Sequence, residues 1–94
     1  MIGLSRGSKR KTEAYELEIG RHRFFISYQT IIGYQGKLGN CRLQNRWGPT
    51  TGKHIREMEI HDYPIVTDEE LAKRQLDALV DTAVHELGAD RFAA

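Results

Sequence analysis

The spacing of apolar residues changes once along this chain, and that change limits its folds more than any other feature. Between Tyr15 and Trp47 apolar side chains tend to recur at every second residue, whereas between Asp68 and Leu87 they recur every third or fourth. A period of two lays alternate side chains on opposite faces of a strand, and a period of 3.6 gathers them on one face of a helix. Strands followed by one long helix are therefore predicted. Short links between successive strands favour antiparallel neighbours, because parallel pairing needs a long crossover. The 94 residues hold one domain and one modest core. The predicted class is α+β: an antiparallel three- to four-stranded β-meander, a short helical turn, and a C-terminal amphipathic helix packed on the sheet.

Tyr15, Leu17 and Ile19 alternate with Ala14, Glu16 and Glu18, and Gly20-Arg21 supplies a tight turn. His22 to Tyr28 reads as a central strand, apolar on parts of both faces. Thr30 to Tyr34 follows it, and a turn cluster at Gly36–Asn40 leads into a strand from Cys41 to Trp47 that Gly48-Pro49 ends. Thr50-Thr51 suits the N-cap of a helical turn over Thr51–Met58, although the drift to period two near Ile60 leaves helix and strand both open. The last helix has the firmest local signature. Thr67 and Glu70 form a capping box, Val66 and Leu71 a hydrophobic staple, and Asp68, Glu69 and Glu70 suit the positive end of the helix dipole. Ala72, Leu76, Leu79, Val80, Ala83, Val84 and Leu87 make its apolar stripe, predicted to face the sheet, and Gly88 stands where a left-handed cap is wanted. Phe92 is placed to fold back onto the core.

The net charge of +1 conceals an asymmetry: residues 1–60 carry +6 and residues 61–94 carry −5. Residues 1–11 read as a flexible basic arm ahead of a single domain at 12–94, with little to bury and four cations. A dipolar molecule of this kind can steer a charged partner to one face. The single Cys41 excludes an intramolecular disulfide and a cysteine-rich zinc cage, and fits a reducing, cytoplasmic compartment. No run of 18 apolar residues and no signal-peptide core is present, so neither a membrane span nor secretion is expected.

No catalytic constellation stands out. His85-Glu86 resembles the start of a helical zinc-protease motif, but Ala89 holds the second ligand position. Gly48 to Lys53 resembles a phosphate-binding loop, yet only three residues separate the glycines and His54 replaces the metal-binding hydroxyl. A reduced form of that idea keeps Thr51, Gly52, Lys53 and His54 as a site for one phosphate or carboxylate at a helix start. Cys41 reads as a small buried hydrophobe. The richest surface combines cations with aromatics: Arg21, Arg23, Arg42, Arg46 and Lys53, with Trp47 and Tyr34 near them in sequence. Cations displace counterions from a nucleic acid and rings stack on its bases, so this face is a candidate nucleic-acid surface. Alternating arginines also make an ordinary solvated face, with Trp47 in the core. No cofactor or metal is called for.

The strings Ile26-Ser27-Tyr28-Gln29-Thr30, Trp47, and Thr50-Thr51-Gly52-Lys53-His54-Ile55 are similar to those of a group of small uncharacterised phage and prophage domains, with an I-S-Y-x-T strand and, after a Trp, a T-T-x-K-H-I segment. The resemblance spans about residues 15–58 and brings no known activity. It implies a virus-encoded accessory protein acting in the cytoplasm of a bacterial host. The expected function is non-catalytic binding of a host protein, as a modulator or inhibitor, with nucleic-acid binding through the basic face and arm as the alternative. The acidic helix residues Glu69, Glu70, Asp77, Asp81 and Glu86 are candidates to imitate a phosphate-bearing ligand. A homodimer through unpaired sheet edges is also compatible with so small a sheet.

Overall fold

The computed structural model describes residues 2–6 and 14–86. Five strands form one antiparallel meander in chain order: β1 (Ile2–Arg6), β2 (Ala14–Ile19), β3 (His22–Ser27), β4 (Thr30–Gln35) and the two-residue β5 (Cys41–Arg42). Helix α1 (Pro49–Glu57) follows the sheet, and α2 (Asp68–Glu86) follows α1. The α+β class and the C-terminal helix are as the periodicity predicts. Residues 2–6, within the expected arm, form β1 and pair with β2 from Ile2↔Ile19 to Arg6↔Tyr15. Residues 7–11 of that arm, like Leu87, Gly88 and Phe92, lie outside the described residues.

Each face of the sheet has its own core. Phe24, Tyr34, Cys41 and Leu43 pack with Leu71 and Ala78 of α2. Phe25, Ile32 and Ala14 pack with Ile55 and Met58 of the α1 segment and with Ile60. The paired aromatics Phe24-Phe25 thus serve opposite faces, which is why β3 reads as apolar on both. A bulge between Phe25 and Ile26 in the β3–β4 pairing lets Ile31 join the α2 side and Ile32 the α1 side. Gly33 follows because a Cβ there would lie 2.9 Å from Ile60 Cδ1.

The strand predicted from Cys41 to Trp47 stops at Arg42. Leu43 N–H still donates to Ile32 C=O at 2.8 Å, but then Asn45 Oδ1 accepts from the amides of Trp47 and Gly48 at 3.0 and 3.3 Å and turns the chain. On the outer side of β5, Arg42 N–H donates to Pro64 C=O and Val66 N–H to Arg42 C=O, both at 2.9 Å, so residues 64–66 cover that edge.

Residues 49–57 are helical, which settles the open choice between helix and strand there. The start differs from expectation: Gly48, at φ 127°, is the N-cap, with Pro49 at the first turn, and Thr51 lies inside the helix with its hydroxyl engaged elsewhere. For α2 the capping box is present. Thr67 N–H donates to Glu70 Oε1 at 2.9 Å, and Glu70 N–H donates to Thr67 Oγ1 at 3.1 Å. Val66 and Leu71 share the same core cluster, as a staple requires.

The inward face of α2 is not the predicted one. Leu71 and Ala78 are buried, while Leu76, Leu79, Val80 and Val84 are 61, 51, 55 and 40% exposed. Polar anchors set the rotation. Asp81 reaches the buried His22 of β3, Arg74 Nε donates to Gly39 C=O at 2.9 Å, and Thr82 packs on the β2–β3 turn at Gly20. Asp81 gives the Nε2 of the buried His22 a partner, as Tyr34 does its Nδ1, so both ring nitrogens are satisfied inside the protein.

Candidate binding cleft

Two segments distant in sequence converge at one end of the α1 face. Ser27 ends β3, Tyr28 and Gln29 turn the chain into β4, and Trp47 to Thr51 lead into α1. Between them lies a cleft of about 320 Å³, lined by Ser27, Tyr28, Thr30, Trp47, Pro49 and Thr51, with Ile32 at its base. Its lining residues include no Asp, Glu, Lys or Arg. Two exposed aromatic rings and several hydroxyl groups therefore dominate its chemistry.

The floor is a buried polar cluster. Ser27 Oγ lies 2.8 Å from His54 Nδ1 and 3.1 Å from Thr51 Oγ1, and all three residues are buried. The hydroxyl ties α1 to the sheet and gives each buried polar group a partner. Of the residues considered for an anion site at the helix start, Thr51 and His54 turn their side chains to Ser27, and Lys53 is exposed.

The two hairpin turns of the sheet differ at one position. In the β2–β3 turn the first central residue is Gly20 at φ 58°, where glycine carries no steric penalty. In the β3–β4 turn the same position holds Tyr28 at φ 59°. A bulky side chain in this left-handed region is strained, by about 1–3 kcal/mol in typical cases. The strained backbone presents a half-exposed ring above His54, with ring centroids 5.6 Å apart. Across the cleft Trp47 is 40% exposed, not in the core, and the Arg46 guanidinium sits 4.6 Å from its ring centre.

The arginines do not assemble into one basic face. Arg21 donates to both oxygens of Asp81 at 3.2 and 3.3 Å. Arg23 pairs with Glu18 at 2.7 Å and Glu16 at 3.3 Å. Arg42 is committed to backbone carbonyls, with Nε donating to His61 at 3.2 Å and a terminal NH to Leu43 at 3.0 Å. Arg46 grips Asp68 through two bonds of 3.0 and 2.9 Å, holding the Asp68 carboxyl below its ordinary range. Of the residues singled out in sequence, the structure brings Trp47, Thr51 and His54 together and keeps Arg21, Arg23, Arg42, Arg46 and Lys53 off the cleft wall. Ser27, Tyr28 and Thr30 belong to the cleft although the sequence does not mark them as site residues. The one usable signal for them is a Tyr where a tight hairpin turn favours Gly.

A second polar cluster lies on the other face. His22 Nε2 is 2.6 Å from Asp81 Oδ2 and His22 Nδ1 is 2.6 Å from the Tyr34 hydroxyl, which also accepts from Leu38 N–H at 3.3 Å. Lys37 at 3.1 Å, Arg21 at 3.2 Å and His85 Nε2 at 3.3 Å also surround Asp81. The His22 hydrogen bond first, then the two cations, hold the Asp81 carboxyl far below the usual range despite partial desolvation. Burial pushes the Tyr34 phenol up. Asp81 is therefore an internal anchor and not part of an acidic display face; Asp77 pairs with Lys73, and Glu70 with the Thr67 cap.

Among the described residues no group of His, Cys, Asp and Glu could hold a metal ion, and no helix is long and apolar enough to cross a membrane. Searches of curated proteins and of solved structures found no match. A family model does match, over residues 2–75, which takes in the whole sheet, the cleft, and the first turns of α2. The chain belongs to that family, a family of unknown function (DUF8033).

Proposed function

We propose that this chain is a non-catalytic binding protein that holds a host protein in the Tyr28–Trp47 cleft. The strained, exposed Tyr28 is the observation that carries this reading. Strain at a bulky residue persists when something else fixes it, and it clusters at ligand-binding positions. Tyr and Trp supply large, rigid contact area and dominate protein interfaces. The lining hydroxyls suit backbone groups of an extended segment, and the absence of lining charge disfavours a strongly ionic ligand. The phage or prophage setting and the bacterial host cytoplasm belong to the same proposal, supported by the I-S-Y-x-T and T-T-x-K-H-I strings, whose Ser27, Tyr28, Thr30, Thr50 and Thr51, with the Trp47 between them, all line this cleft. The alternative, a nucleic-acid-binding module, has less support because Arg21, Arg23 and Arg46 are already paired with carboxylates.

Affinity capture from bacterial lysate with the wild-type chain and with Tyr28→Ala/Trp47→Ala tests this. A protein recovered by the first and lost by the second supports the reading. Recovery by both places binding elsewhere, and recovery by neither at low salt removes the proposal. Fluorescence anisotropy with single- and double-stranded DNA and RNA covers the alternative. Micromolar binding that weakens steeply with salt would favour nucleic acid instead.

A further inference from the structure

The free polar groups of the Tyr28–Trp47 cleft are hydrogen-bond donors with no charge. Ser27 and Thr51 commit their hydroxyls to each other and to His54. The Trp47 indole N–H, the Tyr28 phenol and the hydroxyls of Thr30 and Thr50 make no hydrogen bond within the described residues, and all four residues are exposed. An indole N–H only donates, and a hydroxyl or phenol turns its hydrogen toward whatever acceptor is offered. The rest of the lining is apolar: two aromatic rings, the Pro49 ring, and Ile32 at the base.

Both aromatic rings are held in place by the chain itself. Trp47 lies against the Arg46 guanidinium, which two hydrogen bonds fix on Asp68. Tyr28 sits in the tight β3–β4 turn with its ring beside His54, and His54 is tied to Ser27. Preset rings and spare donors suit a segment that is itself preset, apolar and poor in donors. Proline meets each requirement. It has no N–H, its carbonyl accepts, its ring packs on aromatic faces, and its fixed φ holds a proline-rich stretch in polyproline II before binding. A β-strand ligand instead brings an N–H at most residues and needs an open sheet edge. The cleft offers no such edge: it lies at the β3–β4 turn, and residues 64–66 already cover β5.

We propose that the segment held in this cleft, on the reading that the cleft binds a protein, is a proline-rich stretch in the polyproline II conformation. Prolines three residues apart pack on Tyr28 and Trp47, and the carbonyls between them accept from the Trp47 indole and the threonine hydroxyls. Three residues complete one turn of this helix, so two such prolines share one face about 9 Å apart. The cleft volume of about 320 Å³ is small for a ligand site and takes about one turn, which makes the affinity modest. The stretch belongs to another chain. Both prolines of this sequence, Pro49 and Pro64, lie within the described fold, and residues 7–13 and 87–94 contain none.

Nuclear magnetic resonance of the nitrogen-15-labelled chain, titrated with a blocked ten-residue polyproline peptide, tests the proposal. A blocked Gly-Ser peptide of equal length is the control. The single indole resonance of Trp47 and the amides of Tyr28, Thr30 and Thr50 should shift and saturate with polyproline, with a dissociation constant on the order of 0.1–1 mM. The Gly-Ser peptide should leave them in place. Trp47→Phe keeps a ring and loses the indole N–H, and should weaken binding about three- to tenfold. Tyr28→Gly removes a ring while relaxing its turn, and should weaken binding at least about tenfold. Lys53→Ala, off the cleft wall, should change nothing. The proposal is overturned by an absence of shifts up to about 5 mM polyproline, by shifts away from the cleft, or by equal binding of the Gly-Ser peptide. A cleft filled by the chain's own residues 7–13 or 87–94 would give the first of these results. Lysate capture keeps the two levels apart: a protein lost on Tyr28→Ala/Trp47→Ala, beside a silent polyproline titration, refutes the proline-rich ligand and leaves the cleft as a protein-binding site.

Discussion

Ser27 and His54 meet at 2.8 Å beneath the Tyr28–Trp47 cleft, joining the last residue of β3 to the middle of α1 across 27 residues of sequence. The same serine hydroxyl also meets Thr51, so one oxygen fixes how α1 sits against the sheet. The position of the Trp47 loop, which leads directly into α1, follows from that contact.

Ser27→Ala removes the oxygen and leaves two buried polar groups to find new partners. It should destabilise the fold by about 1–3 kcal/mol, the usual cost of orphaning buried hydrogen-bonding groups. Urea denaturation followed by circular dichroism measures this. Trp47 is the sole tryptophan, so its emission should shift in the native state as the loop loosens.

Tyr28 permits a test of strain separate from contact. Both Tyr28→Gly and Tyr28→Ala delete the ring, but only glycine relaxes a φ of 59°. Tyr28→Gly should be the more stable of the two by about 1 kcal/mol, the reverse of the order at an ordinary strand position. Both variants should lose the protein partner proposed for the cleft. Equal stabilities would mean that the turn carries no strain.

Acid should loosen α2 from the sheet. The folded Asp81 carboxyl titrates far below its unfolded value near 4, so its contribution to stability is complete above that pH and is lost as pH falls toward the folded value. Wild-type stability should therefore drop steeply below about pH 4. Asp81→Asn should lower the melting temperature at neutral pH and flatten this acid dependence. A variant with the wild-type acid slope would show that Asp81 does not govern it.

Gly48 combines φ 127° with open space where a Cβ would stand, so an added methyl group meets nothing and costs only conformational strain. Gly48→Ala should destabilise by about 1–2 kcal/mol and blunt binding by displacing Trp47. Thermal melts and Trp47 emission report the two effects separately.

Cys41 is fully buried, and burial raises its thiol pKa, which lowers the reactive thiolate fraction. A thiol reagent at neutral pH should modify it only as fast as the protein opens. Rapid labelling of the native protein would contradict that environment.

The residues themselves determined the elements whose signals lie within a turn or two of chain. Alternation from Ala14 to Gln35 defines three strands and their short links, and Thr67 with Glu70 marks the start of α2 to the residue. Tertiary structure decided the rest. Cys41–Trp47 has strand periodicity, but residues 64–66 and the Asn45 turn take its backbone partners after Arg42. The α2 stripe reads as a core face, yet in the fold the helix turns Asp81 to His22, 59 residues away, and Leu76, Leu79 and Val80 lie outward. The arginines look like one surface because they alternate, and they part because each meets a carboxylate or carbonyl from a different segment. The cleft depends on Ser27, Trp47 and Thr51 arriving together. Local patterns encode what a residue does with its near neighbours, whereas the partner of a buried polar group is chosen across the whole fold, where its desolvation has to be offset.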